Sequence, residues 1–158
     1  MPVLDIKKYP DPILRKKCEE VKEINFEINK LIEDMIETMN KNNGVGLAAP
    51  QVGILKRIIV LGSEKGPVAF INPKILKKSK ETKIIEEGCL SFPGFFLNIK
   101  RPKEVEAEIL TEDGKKIKIK MNGLLARIFQ HETDHLDGTL LIDKIPFWKR
   151  WKIRKKFK

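Results

Sequence analysis

Apolar residues recur at helical spacing in two stretches of the chain and alternate with polar ones in others. Ile28, Leu31, Ile32, Met35, Ile36 and Met39 fall three and four apart, the period that lines one face of a helix. Asn25 stands before them as an N-cap. "NKNNG", Asn40–Gly44, closes the run, with Gly44 expected in the left-handed conformation. "NGLLARIFQHETDHLDG" predicts a second long helix, capped by Asn122 and ended by Gly138. Between them "LKRIIVLG" reads as a buried strand and "PVAFINP" as another. "KEVEAEILTEDGKKIKIKM" alternates on both sides of a turn signal, "EDGK", and predicts a hairpin.

Two stretches break the pattern. "GVGLAAPQVG", Gly44–Gly53, reads as a tight loop that is neither helix nor strand. "KKSKETKIIEEGCLSFPGFF" reads as a strand of mixed polarity followed by a second loop punctuated by Gly and Pro. Residues 1–23 are expected to be irregular, broken by "YPDP". Hairpin-ordered strands between two helices predict an α+β fold. Its antiparallel sheets are expected around a central helix carrying His131 to His135, with an N-terminal helix and a basic C-terminal helix.

Composition narrows the class. The chain has 158 residues, 41% hydrophobic and 34% charged, enough for one domain with its own core. It contains no apolar run of transmembrane length and no secretory signal pattern at its start, so a cytoplasmic protein without a membrane span is expected. The net charge is +10, but eight of the 32 basic residues lie in 144–158, which holds no acid. The remainder carries 24 basic against 22 acidic residues. The expected division is therefore a domain over 1–143 and a basic aromatic tail, expected to be helical, over 144–158.

The chemistry is concentrated in "QHETDHLDG", Gln130–Gly138. The only two histidines, His131 and His135, stand four apart. On a helix they share a face and can converge on one metal ion, with Glu132 placed to act on a water there. A catalytic site of this kind takes a third protein ligand. Carboxylates are plentiful. Cys89, in the constrained "EEGCLSFPG", is the thiolate candidate, whereas Cys18 in "RKKCEEV" reads as a packed thiol. Gln51 and Gln130 are the only glutamines, and both lie in these unusual stretches.

Three segments in this order, "GVGLAAPQ" (Gly44–Gln51), "EGCLS" (Glu87–Ser91) and "QHETDHLDG", resemble the defining motifs of the peptide deformylase family, as does the "PDPILRKKCEEV" start. The resemblance implies hydrolysis of the N-formyl group of N-formylmethionyl nascent peptides. It implies Cys89, His131 and His135 as metal ligands, with Fe2+ the native ion and Zn2+, Ni2+ or Co2+ as substitutes. It implies Glu132 as base and then acid, with the Gln51 amide and the Leu90 N–H as oxyanion donors. Substrate would lie extended along Val45, Gly46 and Gly88, its methionine side chain held by Gly44, Leu124, Ile128 and the stem of Arg127. Arg101 would hold the cysteine loop. Apart from the resemblance, Asp134 is a candidate to orient a ligand imidazole, as carboxylates beside metal sites often do.

Other readings are a zinc peptidase using the same two histidines and an RNA-binding module resting on the tail alone. In "KIPFWKRWKIRKKFK" a helix would place Phe147, Trp148 and Trp151 on one face to dock on the body. Its charges would face a ribosome or rRNA surface, with an anionic lipid surface as the competing reading. No DNA partner is expected.

Overall fold

A computed structural model describes residues 2–157. Helix α1 spans Phe26–Lys41, with the Asn25 side chain accepting from the Ile28 N–H. Its apolar stripe buries Ile32, Met35 and Met39. The left-handed residue after it is Asn43, at φ 55°, and not Gly44. Asparagine tolerates this region because its short amide can bond locally.

The expected loop at Gly44–Gly53 is instead strand β1, Gly46–Ala48, followed by a 3-10 turn over Ala49–Val52. Three residues are too few to display alternation, and all three are buried. They pair antiparallel with Ile59–Leu61 of β2, Ile58–Leu61. Next come β3, Val68–Lys78, and the β6–β7 hairpin, Glu104–Leu110 and Lys116–Asn122. Together they form an antiparallel five-stranded sheet in the order β1-β2-β3-β6-β7.

The second punctuated loop is also a strand. β4, Thr82–Cys89, pairs with β5, Phe92–Pro102, as a separate two-stranded sheet. Pro93 and Gly94 are tolerated because both strands are edges, where an absent N–H need not break a ladder. Helix α2, Gly123–Leu136, carries His131, Glu132 and His135. Asn122 occupies its cap position without a side-chain capping bond.

β2 is apolar at every position because a helix covers each face. Ile59 and Leu61 pack with Ala126, Ile128 and Phe129 of α2. Ile58 and Val60 pack with Ile32, Met35 and Met39 of α1. A third cluster gathers Leu14, Phe92, Leu140 and Ile142 with Ile153.

Ile153 belongs to helix α3, Phe147–Lys156, and here the sequence expectation fails in detail. Phe147, Trp148 and Trp151 are 74%, 60% and 56% exposed. The helix docks through Ile153 and Phe157, whose ring meets Tyr9, Phe92 and Phe95 edge-on. The Arg150 guanidinium donates to the carbonyls of Ile145 and Asp143. The face that meets Leu14, Phe92, Leu140 and Ile142 carries Ile153, and the larger aromatics Phe147, Trp148 and Trp151 stay in solvent. Among the described residues no helix is long and apolar enough to cross a membrane.

Candidate active site

The end of β4 brings Cys89 against one face of α2. Cys89 Sγ lies 3.4 Å from His135 Nε2. One ligand atom each from Cys89, His131 and His135 lie within 4.8 Å of one another. Glu132 Oε1 is 3.9 Å from His131 Nε2 and 4.0 Å from His135 Nε2. That oxygen is buried and has no hydrogen-bond partner. A buried carboxylate oxygen without a donor is costly. Burial, opposed by His131 and Arg101, pushes Glu132 up to about 7.

The histidine's other nitrogen is held from behind. His131 Nδ1 is 3.0 Å from Glu87 Oε1, and it is Glu87, not Asp134, that orients an imidazole. Glu87 stands two residues before Cys89 on β4, within the same "EGCLS" segment, and both reach α2. Asp134 instead accepts from Arg101 Nη1 at 2.9 Å, with Lys144 Nζ 3.4 Å away.

Glu87 is the hub of the site. Arg101 grips both its oxygens, Nε to Oε2 at 2.7 Å and Nη2 to Oε1 at 3.0 Å. Arg127 adds Nη1 to Oε2 at 2.5 Å. Although burial resists, the hydrogen bonds from His131 and Arg101 hold the Glu87 carboxyl at about 2. Burial likewise resists a charge on His131, but Glu132, Cys89 and Glu87 raise it well above the ordinary imidazole value. His135 is lowered by burial and by the charges of His131 and Arg101.

Gln51 completes the near side. Its Oε1 accepts from the Ala48 N–H at 2.9 Å, and its Nε2 lies 3.1 Å from Ser91 Oγ and 3.5 Å from Cys89 Sγ. Ser91 donates onward to the Lys7 carbonyl, which ties the N-terminal segment to the site.

A cavity of about 900 Å3 opens onto these groups. Gly44, Val45, Gly46, Gly88 and Leu90 line it, as do Leu124, Arg127 and Ile128. His135 stands behind the lining. Close packing explains one glycine: a Cβ at Gly46 would lie 2.6 Å from Glu132 Oε2 and 2.8 Å from Ile128 Cγ2.

The donor set fits a divalent transition-metal ion. It offers one sulfur and two imidazoles, a carboxylate anchoring the far nitrogen of one imidazole, and an unpartnered carboxylate oxygen facing the same space.

A sequence model of the family described as polypeptide deformylase matches residues 3–151. This chain belongs to that family. It is 53% identical to a peptide deformylase of Thermodesulfovibrio yellowstonii over 163 aligned positions, covering 100% of this chain and 98% of the relative. It is 48% identical to one from Thermotoga maritima, covering 96% and 92%. The crystal structure of peptide deformylase from Ehrlichia chaffeensis superposes with a TM-score of 0.93 at 41% identity, covering 99% of this chain and 95% of that one. A structure of the Ehrlichia protein in complex with actinonin gives 0.94 at 43% identity, covering 99% and 96%.

The activity is therefore the deformylase reaction, removal of the N-formyl group from nascent peptides, and not internal peptide cleavage by a zinc peptidase. The tail-only RNA-binding module is set aside with it.

Proposed function

We propose that Cys89, His131 and His135 hold one Fe2+ ion for this hydrolysis, with Zn2+, Ni2+ and Co2+ able to replace it. The carrying observation is the convergence of those three side chains within 4.8 Å of one another. Such an ion supplies Lewis acidity, polarising the formyl oxygen and acidifying the attacking water.

Glu132 Oε1 takes the proton of that water as it adds to the formyl carbon, then delivers it to the amine as the C–N bond breaks, leaving formate. Burial favours a carboxylate able to do both near neutral pH. The Gln51 amide and the Leu90 N–H donate to the developing oxyanion. Val45, Gly46 and Gly88 pair with the extended peptide through their backbones. Gly44, Leu124, Ile128 and the Arg127 stem receive the methionine side chain. Arg101 secures the Cys89 strand by joining Glu87 to Asp134. In this reading the helix bearing both histidines is the central element around which the two sheets assemble the site.

The test is anaerobic purification, incubation with formyl-Met-Ala-Ser and measurement of formate. Release that a chelator abolishes, that Fe2+ restores best and that Glu132→Ala lacks is the expected result. Chelator-resistant release would reject the metal assignment.

The tail reading is kept in altered form. Residues 1–143 act as the hydrolase unit and 144–158 as a basic appendage, in a cytoplasmic protein. Lys149, Lys152, Arg154, Lys155 and Lys156 are exposed on α3 beside the uncovered Trp148 and Trp151, which suits contact with rRNA phosphates and bases. Because Ile153 is buried, the test reverses the charges of Lys149, Lys152 and Lys155 instead of deleting the helix. Undiminished salt-sensitive ribosome binding would reject the contact.

A further inference from the structure

A second cavity, of about 470 Å3, lies beside the active-site cavity. The two share three lining residues, Ile85, Leu124 and Arg127. Lys83, Lys103, Glu104 and Asn122 stand in the wall of the second beside Pro102 and Gly123, and its exposed lining is mainly apolar. Ile85 comes from β4, and the other two from the start of α2. The partition is therefore a seam between the helix and the two-stranded sheet.

Arg127 is held across this seam. It is buried, and its Nη1 donates to Glu87 Oε2 and to the Ile99 carbonyl at 3.0 Å, while Nη2 donates to the Lys83 carbonyl at 2.6 Å. Its partners lie on both strands of the small sheet. With a carboxylate and two carbonyls in contact, the guanidinium is matched by protein groups. Its charge is thereby committed to the wall, and its stem is fixed in one place.

We propose that Arg127 is a specificity-determining residue: the wall between the two cavities, setting the depth open to the first side chain of the formylated substrate. This rests on the proposed seating of that side chain against Leu124, Arg127 and Ile128. An unbranched apolar chain ends against the Arg127 stem. A longer chain with a polar end would continue into the second cavity, behind the wall, where Lys83, Lys103, Glu104 and Asn122 stand.

Two substitutions separate wall from tether. Arg127→Met removes the bonds to Glu87, Ile99 and Lys83 but refills most of the length. Arg127→Ala removes both. The substrates are formyl-Met-Ala-Ser and the same peptide with Nε-acetyllysine in place of methionine, compared by kcat/KM. Arg127→Ala is expected to raise the acetyllysine-to-methionine ratio about tenfold or more, mainly through KM, a shift of the size that pocket contacts deliver. Arg127→Met is expected to keep the wild-type ratio within about twofold, while its melting temperature falls like that of the alanine variant. Leu124→Ala trims the same wall at a residue 64% exposed, where folding is not at risk, and is expected to move the ratio the same way.

An unchanged ratio in Arg127→Ala and Leu124→Ala overturns the inference, as does an equal shift in Arg127→Met. If Arg127→Ala does not fold, Leu124→Ala decides. Absence of formate release from wild-type protein would overturn the deformylase reading itself. Normal release with unmoved ratios would overturn the partition alone.

Discussion

Gly46 and Glu132 touch across the joint between β1 and α2: a Cβ on Gly46 would stand 2.6 Å from Glu132 Oε2. The glycine is what lets the carboxylate lie against the strand and face both imidazoles. Gly46→Ala is expected to displace Glu132. Since general acid–base catalysis contributes about 10²–10⁴-fold, kcat is expected to fall by roughly tenfold or more, and KM to rise as well because the same Cβ would press on Ile128. Overpacking is expected to cost about 1–3 kcal/mol of stability. Steady-state kinetics and thermal melts check both, and a full wild-type kcat would separate this contact from the positioning of Glu132.

Glu87 predicts an acid limb. Its carboxyl is held at about 2 in the folded chain against an ordinary value of 4.5. A depressed carboxyl contributes stability above the unfolded value and loses it as pH falls through the folded one. About 3 kcal/mol is expected to disappear between pH 4.5 and 2. Glu87→Gln is expected to be less stable at pH 7, because Arg101 and Arg127 lose a charged partner, yet to show a flatter stability profile below pH 4.5. Urea unfolding at several pH values measures this. Parallel wild-type and variant profiles would remove Glu87 from the acid transition.

The two thiols are expected to differ in reactivity. Burial pushes Cys18 up to about 11, only partly offset by Arg57. The thiolate that reacts is therefore scarce at pH 8. Cys89 is half-buried at the cavity. After chelation, iodoacetamide is expected to modify Cys89 and spare Cys18 until the chain unfolds. Restoring Fe2+ or Zn2+ first is expected to protect Cys89. Peptide mapping by mass spectrometry identifies the site, and early labelling of Cys18 would contradict the packing described.

The exposed face of the large sheet carries charge in registered rows. Glu106 of β6 lies opposite Lys77 of β3 and Lys120 of β7, and Glu108 lies opposite Lys74 and Lys118. Each glutamate separates two lysines. Replacing both with glutamine is expected to cost about 1 kcal/mol at low salt, less at high salt, since cross-strand ion pairs on a surface are weak and screened. A melting difference that does not shrink in 1 M NaCl would assign the effect to something other than charge.

Much of this protein is local and therefore legible in sequence. The period of Ile28 to Met39 fixes α1, with Asn25 at its cap as expected. The alternation around "EDGK" fixes the β6–β7 hairpin. His131 and His135 needed only a helix to share a face, and the family motifs pointed to Cys89 as the residue that meets them. What tertiary structure decided are the pairings between distant segments. Gly46–Ala48 became a strand only because β2 lay beside it. Glu87 became the partner of His131, in place of Asp134, because β4 crosses α2 at that height. Arg127 turned its charge inward because Glu87 and two strand carbonyls converge there. α3 buried Ile153 and left its tryptophans in solvent because the receiving surface, built from Leu14, Phe92, Leu140 and Ile142, is assembled from remote parts of the chain. Periodicity records which face of an element is apolar. It carries no record of which surface arrives to meet that face, because that depends on contacts between residues far apart in the chain.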